Sequence, residues 1–281
     1  MPDGPPKRAV TQRRRVRRRP AQQTRAETCA QDRGPETDME AEAHGPLAVV
    51  TGASTGIGAA TARALAERGH PLLLLARRAG LAEALDLPRA LCRQVDVTDA
   101  VAVGAAIEEA EARYGPTDLL VNNAGQMFLG FVADQPTEQW KRMFDVNVHG
   151  LLNGVRSVLP GMIARGRGTL VNVSSVAGRN VYPNHTVYSG TKFAVEGMSE
   201  SLRQEVAGHG VRVVTVAPGS VETEILSHTT HEGVKAGYQA FKDSIEVLAP
   251  EDVAAAVMYV YEQPQRVTVR EIVLASTAQI T

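Results

Sequence analysis

The chain has 281 residues, 43% of them hydrophobic and 22% charged, with a net charge of −1 and two cysteines, Cys29 and Cys92. That is enough apolar material for a sizeable core. It is too little cysteine for a disulfide framework or a cysteine-rich zinc site, which suits a reducing, cytoplasmic setting. No apolar run approaches the ~20 residues of a membrane span, and none follows the early arginines as a secretory signal requires, so a soluble protein with no membrane partner is expected.

The charge is unevenly placed. Residues 1–20 hold eight Lys/Arg against one acid, Asp3, whereas residues 46–281 hold 20 basic and 24 acidic residues. Residues 1–45 are rich in Arg, Pro, Gln, Glu and Thr and nearly lack large apolar side chains, so they read as a disordered Arg-rich tail. The run from Arg13 to Arg19 has no interleaved aromatics and would meet nucleic acid or an anionic surface only electrostatically. A solvated arm is the favoured reading, and Met39 offers an alternative start.

From residue 46 to 281, short apolar runs alternate with amphipathic stretches. Strands are expected over residues 47–51, 71–76, 91–97, 119–122, 168–173, 211–217 and 271–275. Continuous β-type runs of this kind suit strands buried on both faces. A helix after Gly58 runs to Arg68 and stops at Gly69; another covers 101–114 and stops at Gly115-Pro116. Longer ones are expected over 137–164 and 187–207. The alternation predicts right-handed βαβ crossovers in a single Rossmann-type doubly wound α/β domain with a seven-stranded parallel sheet.

The first strand leads into Thr51-Gly52-Ala53-Ser54-Thr55-Gly56-Ile57-Gly58. Glycines at 52, 56 and 58 let the backbone turn sharply, admit a pyrophosphate and pack the helix tightly on the strand. An ordinary strand-helix loop is the alternative, and the position on strand one favours a dinucleotide cradle. At the end of the second strand, Ala76 stands where an acid would hold a ribose diol, and Arg77 and Arg78 follow. A guanidinium binds the 2′-phosphate of NADP in bidentate fashion, so NADP(H) is expected over NAD(H), with Arg77 as the main contact.

Tyr188 and Lys192 lie four apart in an expected helix and share one face. A nearby ammonium lowers a phenol's pKa, so Lys192 is expected to tune Tyr188 as proton donor in reduction and acceptor in oxidation. Ser175, at the end of the fifth strand, can hydrogen-bond the substrate oxygen.

With these residues the chain resembles the short-chain dehydrogenase/reductase family over nearly everything from Leu47 onward. The resemblance includes Asn122-Asn123-Ala124-Gly125 after strand four and Asn147 in Asp145-Val146-Asn147. It implies a catalytic tetrad of Asn147, Ser175, Tyr188 and Lys192, with Asn147 holding a water that links Lys192 to solvent. It also implies adenine contacts at Asp96 and Val97, and a cofactor-bracing role for Asn123 beside Ala124 and Gly125. The nicotinamide-side loop would run through Pro218, Gly219, Val221 and Thr223. Position 55, basic in some NADP-preferring members, is threonine here, which leaves the phosphate grip to Arg77 and Arg78. A homotetramer or dimer is the assembly the family implies.

Phe128, Leu129, Phe131, Asn180, Val181, Tyr182 and His185 fall where that family builds its substrate pocket, and residues 224–244 form its variable lid. His228 and His231 are read as lid residues, and no metal is required. The segments Glu222–Thr229, Val269–Ile272 and Thr277–Gln279 are similar to the NADP-dependent 3-hydroxy acid dehydrogenase and clavulanate dehydrogenase subgroups, with Ser276 where those have proline. The expected activity is an NADP-dependent carbonyl reductase or alcohol dehydrogenase acting on a small polar aldehyde, ketone or 3-hydroxy acid. The rival readings are a catalytically silent NADP(H)-binding regulator and nucleic-acid binding through the tail.

Overall fold

The structure, a computed structural model, describes Gly4 and residues 45–280. Apart from Gly4 and Gly45, the tail expected over residues 1–45 lies outside the described residues, with Cys29, Met39 and the arginine run.

Seven strands are present: β1 (Leu47–Thr51), β2 (Leu72–Ala76), β3 (Ala90–Gln94), β4 (Thr117–Asn122), β5 (Gly168–Val173), β6 (Val211–Pro218) and β7 (Glu271–Leu274). They pair in parallel as one sheet in the order β3-β2-β1-β4-β5-β6-β7. The strand expected over 91–97 stops early. The Asp96 carboxylate accepts from the Thr98 amide at 3.0 Å and the Thr98 hydroxyl at 2.8 Å, a local turn that competes with the ladder.

The helices are α1 (Gly56–Ala66), α2 (Ala79–Glu83), α3 (Ala100–Tyr114), α4 (Thr137–Phe144), α5 (Gly150–Arg165), α6 (Thr186–Glu205), α7 (Glu232–Asp243) and α8 (Pro250–Tyr261). All of β1 and β2 is buried, and successive residues point to opposite layers. Ala48, Val50, Leu72 and Leu74 join Leu65 of α1 and Val253 and Val257 of α8 on one side. Leu47, Val49, Leu73 and Leu75 join Ile107 of α3, Val155 of α5 and Val195 of α6 on the other. Helices on both faces explain why these strands read as unbroken apolar runs. Each fully buried leucine adds about 1.5–3 kcal/mol relative to exposure, so the four of β2 anchor that half of the sheet.

Two further stretches differ from the expected elements. The helix expected over 137–164 is split by a π-helical turn, Asp145–His149, between α4 and α5. Such widened turns gather at functional sites, and this one carries Asn147. The lid region folds into a 3₁₀ turn, Glu224–His228, followed by α7. Then α8 opens with proline at its first position, and the Asp252 carboxylate accepts from the Ala249 amide at 2.8 Å.

Strand order reverses at β1, whose neighbours are β2 and β4, and a crevice opens beyond the carboxyl ends of the strands there. A third apolar cluster, including Met127, Leu129, Met143, Tyr188 and Leu226, lies at this end. Among the described residues no helix is long and apolar enough to cross a membrane.

Candidate active site

A cleft of about 1140 Å³ opens in that crevice, and the expected glycine turn, the arginine pair, Ser175, Tyr188 and Lys192 all line it. Ordinary small-ligand sites occupy about 300–1,000 Å³, so there is room here for a dinucleotide with a substrate.

One end is built from backbone. Gly52 has φ +65°, and a Cβ there would sit 2.8 Å from the Ala124 Cα; a Cβ on Gly58 would meet the Gly52 carbonyl. The turn is fastened to β4 by two residues. The Thr51 hydroxyl accepts from the Asn123 and Ala124 amides, each at 3.0 Å, and the Asn123 side-chain amide donates to the carbonyls of Thr51 at 3.0 Å and Gly52 at 3.1 Å. Thr55 precedes α1 without a side-chain cap, which leaves the first N–H groups of the helix to an anion. Ser54, Thr55, Gly56 and Ile57 face the cleft with Asn123, Ala124 and Gly125. This cradle fits a pyrophosphate.

Arg77 and Arg78 are exposed at the end of β2. Arg78 donates to Glu224 at 2.9 Å and reaches the Thr55 hydroxyl at 3.5 Å, whereas Arg77 makes no ion pair among the described residues. Farther along the rim, Asp96 is fixed by Arg142 at 2.7 Å. Burial raises the Asp96 carboxyl, but the Arg142 guanidinium and the Thr98 bonds outweigh it and hold it at about 2. Val97 also lines the cleft, and its carbonyl accepts from Asn153 at 2.9 Å.

The other end is built from side chains. Ser175 lies two residues past β5 and caps the 3₁₀ turn Val176–Gly178, its hydroxyl accepting from the Ala177 amide at 3.1 Å. Tyr188 and Lys192, one turn apart in α6, are both buried. The Lys192 Nζ donates to the Val173 carbonyl at 2.9 Å and lies 5.8 Å from the centre of the Tyr188 ring. Burial pushes the Lys192 ammonium down to about 8, with Glu196 opposing.

The expectation that Lys192 lowers the Tyr188 phenol is not met in this structure. Burial raises the phenol, the Ser175 hydroxyl beside it pulls the other way, and Tyr238 adds to the rise. Desolvation of the buried phenolate is the largest of these causes.

Asn147 is buried in the π-turn, where it donates to the Gln126 carbonyl at 2.9 Å and the Thr191 hydroxyl at 3.0 Å and accepts from the Gln126 amide at 2.8 Å. Its side chain thus ties α6 to the loop after β4. The loop of Pro218, Gly219, Val221 and Thr223 completes the cleft wall. It is pinned by the Gly219 amide donating to the Leu274 carbonyl at 2.8 Å and the Ser220 amide donating to the Gln279 side chain at 2.8 Å. His228 and His231 lie with Phe128 and Phe131 at ring separations of 5.9 and 5.7 Å, and His231 caps α7.

A family profile for short chain dehydrogenases matches residues 46–233. The chain belongs to the short-chain dehydrogenase family. Over 237 residues it is 41% identical to the glycine betaine reductase of Emericella nidulans; the match takes in 82% of this chain and 18% of that much longer protein. An uncharacterized oxidoreductase of Staphylococcus saprophyticus is 36% identical over 83% of this chain and 96% of its own length. A closed form of serine dehydrogenase complexed with NADP⁺ superposes with a TM-score of 0.79 at 30% identity, covering 84% of this chain and 96% of that one. This family member is an NAD(P)-dependent oxidoreductase acting on CH–OH or C=O groups.

Sequence reasoning missed several residues of the site. Arg142 donates both to Asp96 and, at 3.2 Å, to the Gln126 side chain, and so joins the two ends. Tyr238 and Lys242 of α7 line the cleft, and Lys242 is buried against Glu222 at 3.0 Å. The apolar-polar alternation of α7 was the available signal, but it does not say which face meets a cavity.

Proposed function

We propose that the protein transfers hydride between NADP(H) and the carbonyl or alcohol of a small polar substrate, with Tyr188 as the general acid and base. The observation that carries this reading is the meeting of Ser175, Tyr188 and Lys192 in the same cleft as the glycine turn. When bound, the nicotinamide supplies or accepts the hydride.

The rest falls to side chains of this chain. The Ser175 and Tyr188 hydroxyls hold the substrate oxygen, and the phenol proton moves to it during reduction. Burial favours the protonated phenol, which suits a proton donor. Lys192 keeps its positive charge below about pH 8 and stabilises the phenolate left behind. Asn147 is a positioning residue that fixes the start of α6 through Thr191. The cradle of Gly52, Ser54, Thr55, Gly56, Ile57 and Gly58 takes the pyrophosphate, Asp96 and Val97 the adenine, and Asn123, Ala124 and Gly125 brace the middle. Pro218, Gly219, Val221 and Thr223 take the nicotinamide side.

For the 2′-phosphate, Arg77 is the first partner and Arg78 the second, since no acid ends β2 and Arg77 has no competing ion pair among the described residues. The NADP⁺ in the serine dehydrogenase complex supports this preference. Glycine betaine reductase and serine dehydrogenase are both named for small polar substrates, which supports that substrate size. The test is initial-rate oxidation of NADPH and NADH over aldehydes, ketones and 3-oxo acids, in the natural protein and in Arg77→Asp. Faster use of NADPH, lost or reversed in the variant by about tenfold or more, is expected. An unaltered preference would refute the assignment.

A further inference from the structure

An unbroken chain of hydrogen bonds runs from the cofactor end of the cleft to the proton-transfer residues, and Arg142 stands in the middle of it. The Asp96 Oδ1 accepts from the Thr98 amide and hydroxyl, and its Oδ2 accepts from the Arg142 Nη2 at 2.7 Å. In the other direction the Arg142 Nε donates to the Gln126 Oε1 at 3.2 Å. The Gln126 amide and carbonyl are both bonded to the Asn147 side chain, at 2.8 and 2.9 Å. Asn147 also donates to the Thr191 hydroxyl at 3.0 Å, which in turn donates to the Tyr188 carbonyl at 2.7 Å. Gln126, Asn147 and Thr191 are buried, so a bond lost among them leaves a polar group without water to replace its partner.

The backbone repeats this connection. The π-helical turn that carries Asn147 is attached to the same rim on both sides. Arg142 precedes the turn and holds Asp96; Asn153 follows it and donates to the Val97 carbonyl at 2.9 Å. Gly150, directly after the turn, lies so close to Val97 that a Cβ there would meet the Val97 side chain at 2.6 Å. At the far end, a Cβ on Gly125, beside Gln126, would lie 3.6 Å from the Asn147 Oδ1 and 4.0 Å from the Lys192 Nζ. A shift of this loop therefore alters the surroundings of Lys192. Only a forked donor can serve Asp96 and Gln126 at once, which is what a guanidinium offers and an ammonium does not.

Resting on the cofactor placement and the reductase reading above, we propose that Arg142 is a positioning residue that transmits occupancy of the adenine site to Tyr188. Adenine seated at Asp96 fixes Arg142, Arg142 fixes Gln126, and Gln126 fixes Asn147 at the base of α6. Binding at the non-reacting end of the cofactor is thereby used at the reacting end. The chain of bonds bypasses α7 and residues 180–185, so the outer walls of the substrate end are not part of it.

The test is hydrogen exchange of the full chain with and without adenosine 2′,5′-bisphosphate, which carries the adenine half of NADP and no nicotinamide. In the natural protein the fragment should slow exchange of residues 145–149 and 186–192 by about threefold or more beyond any slowing shared with α8. Arg142→Lys should abolish that extra slowing, because the single ammonium pairs with the carboxylate and releases Gln126. Gln126→Met should abolish it too while keeping the backbone bonds to Asn147, and it carries the test if the Arg142 variant fails to fold. In aldehyde reduction both variants should lower kcat about tenfold with NADPH affinity within about twofold of the natural protein. The double variant should lose no more than either single one. No extra slowing in the natural protein, slowing that persists in both variants, or losses that add in the double variant would overturn the proposal. Exchange that responds through Arg142 in a protein that reduces no aldehyde would remove the reductase reading and leave the coupling. Reduction with undiminished kcat in both variants would leave the reductase reading and remove the coupling.

Discussion

The two ends of the cleft are made of different material. At the cofactor end the shape is set by backbone: Gly52 at φ +65°, Gly58 against the Gly52 carbonyl, and Asn123 and Thr51 fastening the turn to β4. At the substrate end it is set by side chains on chain-distant segments: the loop after β4, the stretch leading into α6, and α7. A backbone-built site tolerates almost no added atom, whereas a side-chain-built site can be re-cut residue by residue while the sheet beneath it stays the same. On the function proposed above, substrate choice can therefore change without disturbing the cofactor cradle.

The strongest attempt to break that contrast is Gly58→Val. The added Cβ collides with the Gly52 carbonyl, and overpacking of this kind costs about 1–3 kcal/mol. Cofactor affinity should fall at least tenfold, with a lowered melting temperature, both readable by titration and thermal unfolding. Retained affinity would mean the turn is less closely fitted than its geometry indicates.

The next effect concerns proton handling. Because the Lys192 ammonium is lowered to about 8, its charge is present below that pH and lost above it. The raised phenol of Tyr188 stays protonated across the same interval. The kcat/KM for reduction should be level through neutral pH and descend above about 8. A profile flat through pH ~10 would deny Lys192 a role in the step.

The smallest effect is at the rim where the two ends touch. Arg78 is held by Glu224, the first residue of the 3₁₀ turn in the lid. This pair is exposed, so its worth is about 0–1 kcal/mol. Glu224→Gln should release Arg78 and raise NADPH affinity up to about fivefold with NADH affinity unchanged. An equal gain for both cofactors would place Arg78 away from the 2′-phosphate.

The same contrast explains what could be read from the sequence. The glycine turn, the β2 arginines and Asn123-Ala124-Gly125 are local strings at the carboxyl ends of strands, and all line the cleft at the switch point. Strands buried on both faces were legible as apolar runs, down to both ends of β1 and β5. The π-turn at Asn147 was not, because one extra residue in a helical turn leaves no mark on apolar spacing. Arg142 was missed because its partner Asp96 is 46 residues away, and Tyr238 because an amphipathic helix does not declare what its apolar side covers. The direction of the Tyr188 shift depends on depth of burial, which residue spacing does not carry.

The central claim is that one phenol, seated in the same cleft as the cofactor cradle, moves the proton. Its most direct test is Tyr188→Phe, with NADPH affinity and aldehyde reduction measured on the same preparation. The account predicts turnover reduced by about 10²–10⁴-fold with NADPH affinity within about twofold of the natural protein. Turnover that survives the loss of this hydroxyl, with the cofactor still bound, would contradict it.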